Sequence, residues 1–240
     1  MKWINKQIKK FIQPEGRPES IAFRAELISQ LSKITSKKNL PVTRAEEGQV
    51  LFDIVRSKPA CRCLEVGFAT GSTAAFMLRA GGIVTSIDYA QEKDWGNMGR
   101  KLIAELGWSG GHELIEDNAV FALPAYLKAE RSYDLVYIDC WKTFDIQCLL
   151  LYYASRLTAK GGMIVIDDYN MPSVRKAVNM GIVHYGLENI SLANFGLGLR
   201  TKLWYWLTVG VGKAPFCVLR KSLDTADFPG VLSFDFYRKF

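Results

Sequence analysis

Short apolar runs alternate with amphipathic stretches through most of this chain. Beyond Pro59 the runs Arg62 to Val66, Ile83 to Asp88, Glu113 to Glu116, Leu135 to Asp139, Met163 to Asp167, Ile190 to Leu192 and Phe216 to Leu219 are separated by stretches of helical length. A parallel strand covered on both faces reads as a nearly continuous apolar run, and such runs alternating with helical patterns are βαβ units. The pattern predicts an α/β fold. It is a Rossmann-like, doubly wound, seven-stranded and mostly parallel sheet with helices on both faces, preceded by extra N-terminal helices. Ile4, Ile8, Phe11 and Ile12 share one face of a helix over residues 1–13, with lysines on the remaining face and Pro14 ending it. Ile21, Phe23, Leu27 and Ile28 mark a second helix from Ser20 to Leu31, and Glu46 to Val55 gives a third. Residues 1–45 are expected to pack as helices on a domain spanning 46–240, since no repeat, linker or low-complexity tract divides the chain.

Composition narrows the class of protein. The 240 residues are 49% apolar, enough for a full core. The longest uncharged apolar stretch, Leu203 to Val211, is about half of the roughly 20 residues a membrane-spanning helix needs, so no transmembrane segment is expected. The start, MKWINKQIKKFIQPEG, lacks the apolar block and cleavage site of a secretory signal, and a cytoplasmic location is expected. Cys61, Cys63, Cys140, Cys148 and Cys217 are odd in number and fall within apolar or strand-like runs, which suits reduced thiols. A single C-x-C with only His112 and His184 argues against structural zinc.

The net charge of +7 gathers toward the two ends, in Lys2, Lys6, Lys9 and Lys10 and again from Arg200 to Lys239. With no zinc-finger, RNP or arginine-rich pattern, it reads as a solvated basic surface, and nucleic acid is not expected as a partner. The aromatic stretch from Phe195 to Lys213 could wall a pocket or bury itself in a homodimer. The tail FPGVLSFDFYRKF could extend the sheet.

The chemistry concentrates at strand ends. CLEVGFATGSTAAFML runs from a strand through a turn holding Gly67, Phe68, Ala69 and Gly71 into a helix at Ser72. Glycines in such a turn let the backbone approach a ligand. The spacing lacks the third glycine of G-x-G-x-x-G, so a dinucleotide oxidoreductase fits less well. Asp88 closes the next strand, with Tyr89 after it, where a carboxylate accepts the hydroxyls of a ribose. Asn118 and Ala119 follow the third strand where an adenine would lie, although Asn118 equally suits a helix cap. Asp139 ends the fourth strand, and Asp167 ends the fifth with Asp168 beside it. Three carboxylates converging there require a cation or a proton, and oxygen ligands favour magnesium, calcium or manganese. Capping of the following helix is the other reading of Asp167 and Asp168.

The ordered motifs EEGQVL, LEVGFATGST, VTSIDYAQ, YDLVYIDCWK and GGMIVIDDYN resemble the metal-dependent catechol and caffeoyl-CoA O-methyltransferases, class I enzymes that use S-adenosylmethionine. The resemblance covers about residues 45 to 180. It implies that Glu65, Gly67 and Ser72 approach the methionine part of that cofactor, Asp88 its ribose, and Asn118 and Ala119 its adenine. Trp141 matches an aromatic near the cofactor, and Phe68, Ala69, Gly71, Tyr89 and Asp139 complete the candidate set. It further implies that Asp139, Asp167 and Asp168 hold a divalent metal, the last in place of the usual Asn, and that Lys142 takes the proton of a small phenolic or catechol-like acceptor. A metal-free methyltransferase of the same fold and an adaptor without turnover stay open as alternatives.

Overall fold

The computed structural model describes residues 16–197, Leu203, Tyr205 and 214–222. The helix expected over 1–13, most of the aromatic stretch 195–213 and the tail 228–240 lie outside these described residues. In chain order the elements are α1 (Pro18–Ile34), α2 (Ala45–Arg56), β1 (Arg62–Val66), α3 (Ser72–Arg79), β2 (Ile83–Ile87), α4 (Met98–Glu105) and β3 (His112–Ile115). There follow α5 (Ala119–Lys128), β4 (Tyr133–Ile138), α6 (Phe144–Leu157), β5 (Thr158–Asp167), α7 (Pro172–His184), β6 (Leu187–Ile190) and β7 (Phe216–Lys221).

The strands form one sheet in the order β3-β2-β1-β4-β5-β7-β6. The first five run parallel, while β7 lies antiparallel between β5 and β6. Side chains alternate strictly across the sheet. Cys63, Leu135, Tyr137, Val165, Phe216 and Val218 enter a core with α1 to α4, and Leu64, Val136, Ile164, Ile166, Cys217 and Leu219 enter a second core with α5 to α7. The doubly wound, two-faced sheet is therefore as the pattern predicts. Alternation also accounts for C-x-C, since Cys61 and Cys63 are both buried in the first core.

Most strand ends fall within two residues of the expected ones, and the two larger shifts have local reasons. The expected strand Ile190 to Leu192 is instead Leu187–Ile190, because the Ser191 hydroxyl accepts from the Ala193 amide and starts a 3-10 turn over Leu192–Phe195. The fifth strand begins at Thr158 rather than Met163 and carries Gly161 in the left-handed region before its paired run.

The winding direction reverses between β1 and β4, and a crevice opens at their carboxyl ends. Gly67 sits at its floor with φ +99. A Cβ there would overlap the Asp139 carbonyl. Gly67→Ala is thus expected to part the two strands and cost roughly 1–3 kcal/mol or more. A Tm unchanged within error would show that the floor yields without cost.

Candidate active site

The glycine turn is held by one carboxylate. Asp88 Oδ2 accepts from the amides of Phe68 at 3.0 Å and Ala69 at 2.8 Å, while Oδ1 accepts from Ala90 at 2.9 Å. Gly71, at φ +77, leads directly into α3. Beside the turn lies a cavity of about 250 Å³ whose lining includes Gly67, Ala69, Asp88, Ala119, Asp139 and Trp141. Tyr89 lines it too and stacks on Trp141, with ring centroids 5.5 Å apart and planes inclined by 8°. Asn118 is not among the lining residues. Its side chain accepts from the Val120 amide at 2.9 Å and caps α5. Phe68 gives its backbone to the turn, while its ring stacks on His112 inside the protein.

Glu65 lies fully buried near the end of β1. Ser86 donates to its Oε2 at 2.5 Å, and Ser86 in turn meets His112 Nε2 at 2.9 Å. Among the described residues its Oε1 has no hydrogen-bond partner of good geometry. Burial pushes the Glu65 carboxyl well above the usual range, against the pull of the Ser86 hydroxyl and of the Ala74 backbone. The same burial lowers His112 to about 4, so this ring is neutral near pH 7. A buried carboxylate oxygen without a donor suits a cationic group such as an amino-acid ammonium.

On the other side of Gly67 a second cavity of about 210 Å³ is lined in part by Thr43, Arg44, Glu47, Ser72, Tyr137 and Asp167. Asp139 lines both cavities. Thr43 anchors this second wall, its amide donating to Ser72 Oγ at 3.0 Å and its hydroxyl meeting those of Ser72 at 2.8 Å and Thr73 at 2.7 Å.

Asp139, Asp167 and Asp168 converge here as expected, with carboxylate oxygens within 4.8 Å of one another. Neither Asp167 nor Asp168 caps α7, whose N-cap residue is Met171 without a side-chain cap. Asp168 has φ +56, a left-handed conformation that Asp and Asn tolerate better than most residues. The trio is laced by two protein cations. Lys142 Nζ lies 2.8 Å from Asp139 Oδ1 and 3.3 Å from Asp168 Oδ2. Arg44 pairs with Asp167 and, at 3.2 Å, with Glu47. The buried Glu47 also accepts from the Tyr137 hydroxyl at 3.0 Å.

These contacts set the charge states. Burial raises Asp139 to about 6, opposed by Lys142 and helped by the neighbouring acids. Burial alone would lower Lys142, but Asp139, Asp167 and Asp168 outweigh it and hold the amine above its ordinary value. Glu47 is pushed far up by burial and by Asp167, against Arg44. An all-oxygen set within this reach fits a hard divalent cation.

Arg44, Glu47, Thr43 and Tyr137 are site residues that the sequence reading does not single out. One signal was available. Arg44 stands three residues before Glu47 at the start of a helical pattern, a spacing that pairs side chains on one helix face, and the structure buries that helix from Ala45 through Leu51.

Residues 18–173 match the protein family described as O-methyltransferase. The chain belongs to this family. As a member of it the protein is an enzyme, and solved structures bear out the fold. Cofactor-bound Rv0187 from MTB superposes with a TM-score of 0.61 at 19% identity, over 83% of this chain and 89% of that one. The O-methyltransferase TomG from Streptomyces achromogenes, solved with SAM, gives 0.59 at 19% identity over 88% and 93%. The O-methyltransferase from Bacillus cereus, solved with SAH, gives 0.60 at 15% identity over 91% and 96%. No curated protein matches this O-methyltransferase-family chain. Among its described residues no helix is long and apolar enough to cross a membrane.

Proposed function

We propose that this enzyme transfers the methyl group of S-adenosylmethionine to a hydroxyl of a small phenolic or catechol-like acceptor. The observation that carries this reading is Asp139, which lines both the slot beside the glycine turn and the cavity holding the acid and lysine cluster. A cofactor on one side of Gly67 and an acceptor on the other would then meet at one point. SAM and SAH in the TomG and Bacillus cereus structures support the choice of cofactor.

The residues take distinct roles in this reading. Asp88 and the turn of Gly67, Phe68, Ala69 and Gly71 hold the ribose side, Ala119, Tyr89 and Trp141 wall the adenine side, and Asn118 keeps α5 in place beneath it. The methionine part extends past Gly67 toward Glu65, Ser72 and the threonine wall of the second cavity, which leaves the Arg44, Glu47 and Asp167 side of that cavity to the acceptor. The sulfonium is already activated, so the protein's task is to align oxygen, methyl carbon and sulfur and to remove the acceptor proton. Lys142 takes that proton and, once charged, is held by Asp139 and Asp168. A divalent cation bound by Asp139, Asp167 and Asp168 would supply positive charge that lowers the pKa of the acceptor hydroxyl. A second, metal-free reading is favoured by the ion pairs that Lys142 and Arg44 already make with the same carboxylates. Methyl transfer from labelled cofactor to a panel of catechols and phenols, before and after chelation and reloading, decides between them. Transfer to none of these acceptors would overturn the substrate class.

The buried Glu65 adds a pH signature. Its carboxyl starts protonated over a wide range, and a cationic ammonium beside it would drive the proton off. Cofactor binding is expected to release a proton and to tighten as pH rises toward the high pKa of the free protein. Calorimetry in buffers of different ionisation enthalpy reads this directly. Binding without proton release, in a protein that does bind the cofactor, would remove Glu65 from the ammonium site.

A further inference from the structure

We infer that Arg44 is a tethered competitor for the divalent cation, so that a metal enters this site only when the guanidinium leaves Asp167. The inference rests on the metal-assisted reading above and deepens it. Arg44 precedes α2, while Asp167 ends β5 on the far side of the crevice, 123 residues later in the chain. Its guanidinium sits on the carboxylate of Asp167, one of the three residues whose oxygens could together hold an ion. A divalent cation and a guanidinium on one carboxylate repel each other, twice as strongly as two single charges at the same distance would.

The geometry allows an exchange. The Arg44 side chain is 37% exposed against 15% for Asp167, so the arginine is the partner with the wider path to solvent. Its second partner, Glu47, is buried and also accepts from Tyr137, which keeps an anchor for the guanidinium within the crevice when it leaves Asp167. Lys142 differs from Arg44 in kind. It sits on the same strand-end loop as Asp139, three residues away, and its amine is a point charge that can shift between Asp139 and Asp168. Arg44 is the cross-sheet clamp, and the intrinsic metal affinity is reduced by the fraction of molecules in which the clamp is closed.

The test is manganese binding to the whole chain, read by electron paramagnetic resonance and by calorimetry, with S-adenosylmethionine binding and thermal melting measured alongside. Arg44→Ala is expected to bind Mn²⁺ at least about tenfold more tightly than the parent, with Arg44→Lys between them. Arg44→Ala combined with Asp167→Ala should lose that gain. Arg44→Met, which keeps the packing of the stem, serves the same purpose if Arg44→Ala fails to fold. A purely structural arginine gives the opposite sign, because loosening the crevice would weaken a bound ion. Equal or weaker Mn²⁺ affinity in a folded, cofactor-binding Arg44 variant overturns the competition while leaving the metal site standing. Absence of Mn²⁺ binding in parent and variant alike overturns both, and retained cofactor binding would then leave only the metal-free methyltransferase reading.

Discussion

Lys142→Ala is expected to slow methyl transfer by a factor of roughly 10² to 10⁴ near neutral pH, the range over which a positioned base acts. The defect should shrink at alkaline pH. The reason is the competition between two sources of the acceptor anion. A phenolic hydroxyl with a pKa of about 10 is almost wholly protonated at pH 7, so methylation of the proposed acceptor would depend on a group in the site to take the proton. Above that pKa, solvent supplies the anion and the lysine no longer limits the rate.

The ion pairs of Lys142 fix the sign of the parent's own profile. Asp139 and Asp168 hold the amine above its ordinary pKa, so it is an ammonium at neutral pH and must lose its proton before it can accept another. The proton-free fraction grows tenfold per pH unit below that pKa, and turnover should climb with pH accordingly. With Lys142 as the proposed base, the same carboxylates would then stabilise the ammonium that forms when the acceptor gives up its proton. A pH–rate profile of the parent that is flat from pH 7 to 10, or a Lys142→Ala variant equally slow at every pH, would show that the residue acts through structure rather than as a base.

The strand ends that carry this chemistry were legible because of how a parallel sheet is built. Strands β2, β4 and β5 are covered on both faces, so their apolar runs stop abruptly at Asp88, Asp139 and Asp167, whereas Glu65 interrupts β1 one residue before its buried end at Val66. The edge strand β6 starts three residues earlier than expected for the converse reason. Its LENI sequence buries only Leu187 well, and the apolar residues beyond it belong to a turn instead. Arg44 had no local signature, since its partner is set by the meeting of α2 and β5 across the crevice. Asn118 had two readings, and the hydrogen bond to Val120 shows that it caps α5 whatever else it touches.

Asp88→Ala should produce the largest loss of cofactor affinity among single substitutions on the nucleotide side. This carboxylate accepts three backbone amides, from Phe68, Ala69 and Ala90, and so it shapes the turn as well as facing the cavity. Hydrogen bonds to a charged group contribute roughly 1.5–3 kcal/mol each, and removal leaves the enclosed amides without an acceptor. The turn also contains Ala69 at φ +47, a conformation that a non-glycine residue keeps only when its surroundings enforce it. Losing Asp88 removes that enforcement. Affinity for S-adenosylmethionine, measured by calorimetry, is expected to fall at least about tenfold, together with a lower Tm. Asp88→Asn separates the two roles. Its one carbonyl oxygen can keep the paired Phe68 and Ala69 amides while its amide nitrogen opposes the Ala90 donor, so the turn should survive in part. If Asp88→Asn melts near the parent temperature yet still binds the cofactor poorly, the carboxylate contacts the ligand itself. If both variants bind the cofactor as tightly as the parent, Asp88 holds only the turn and the ribose assignment is wrong.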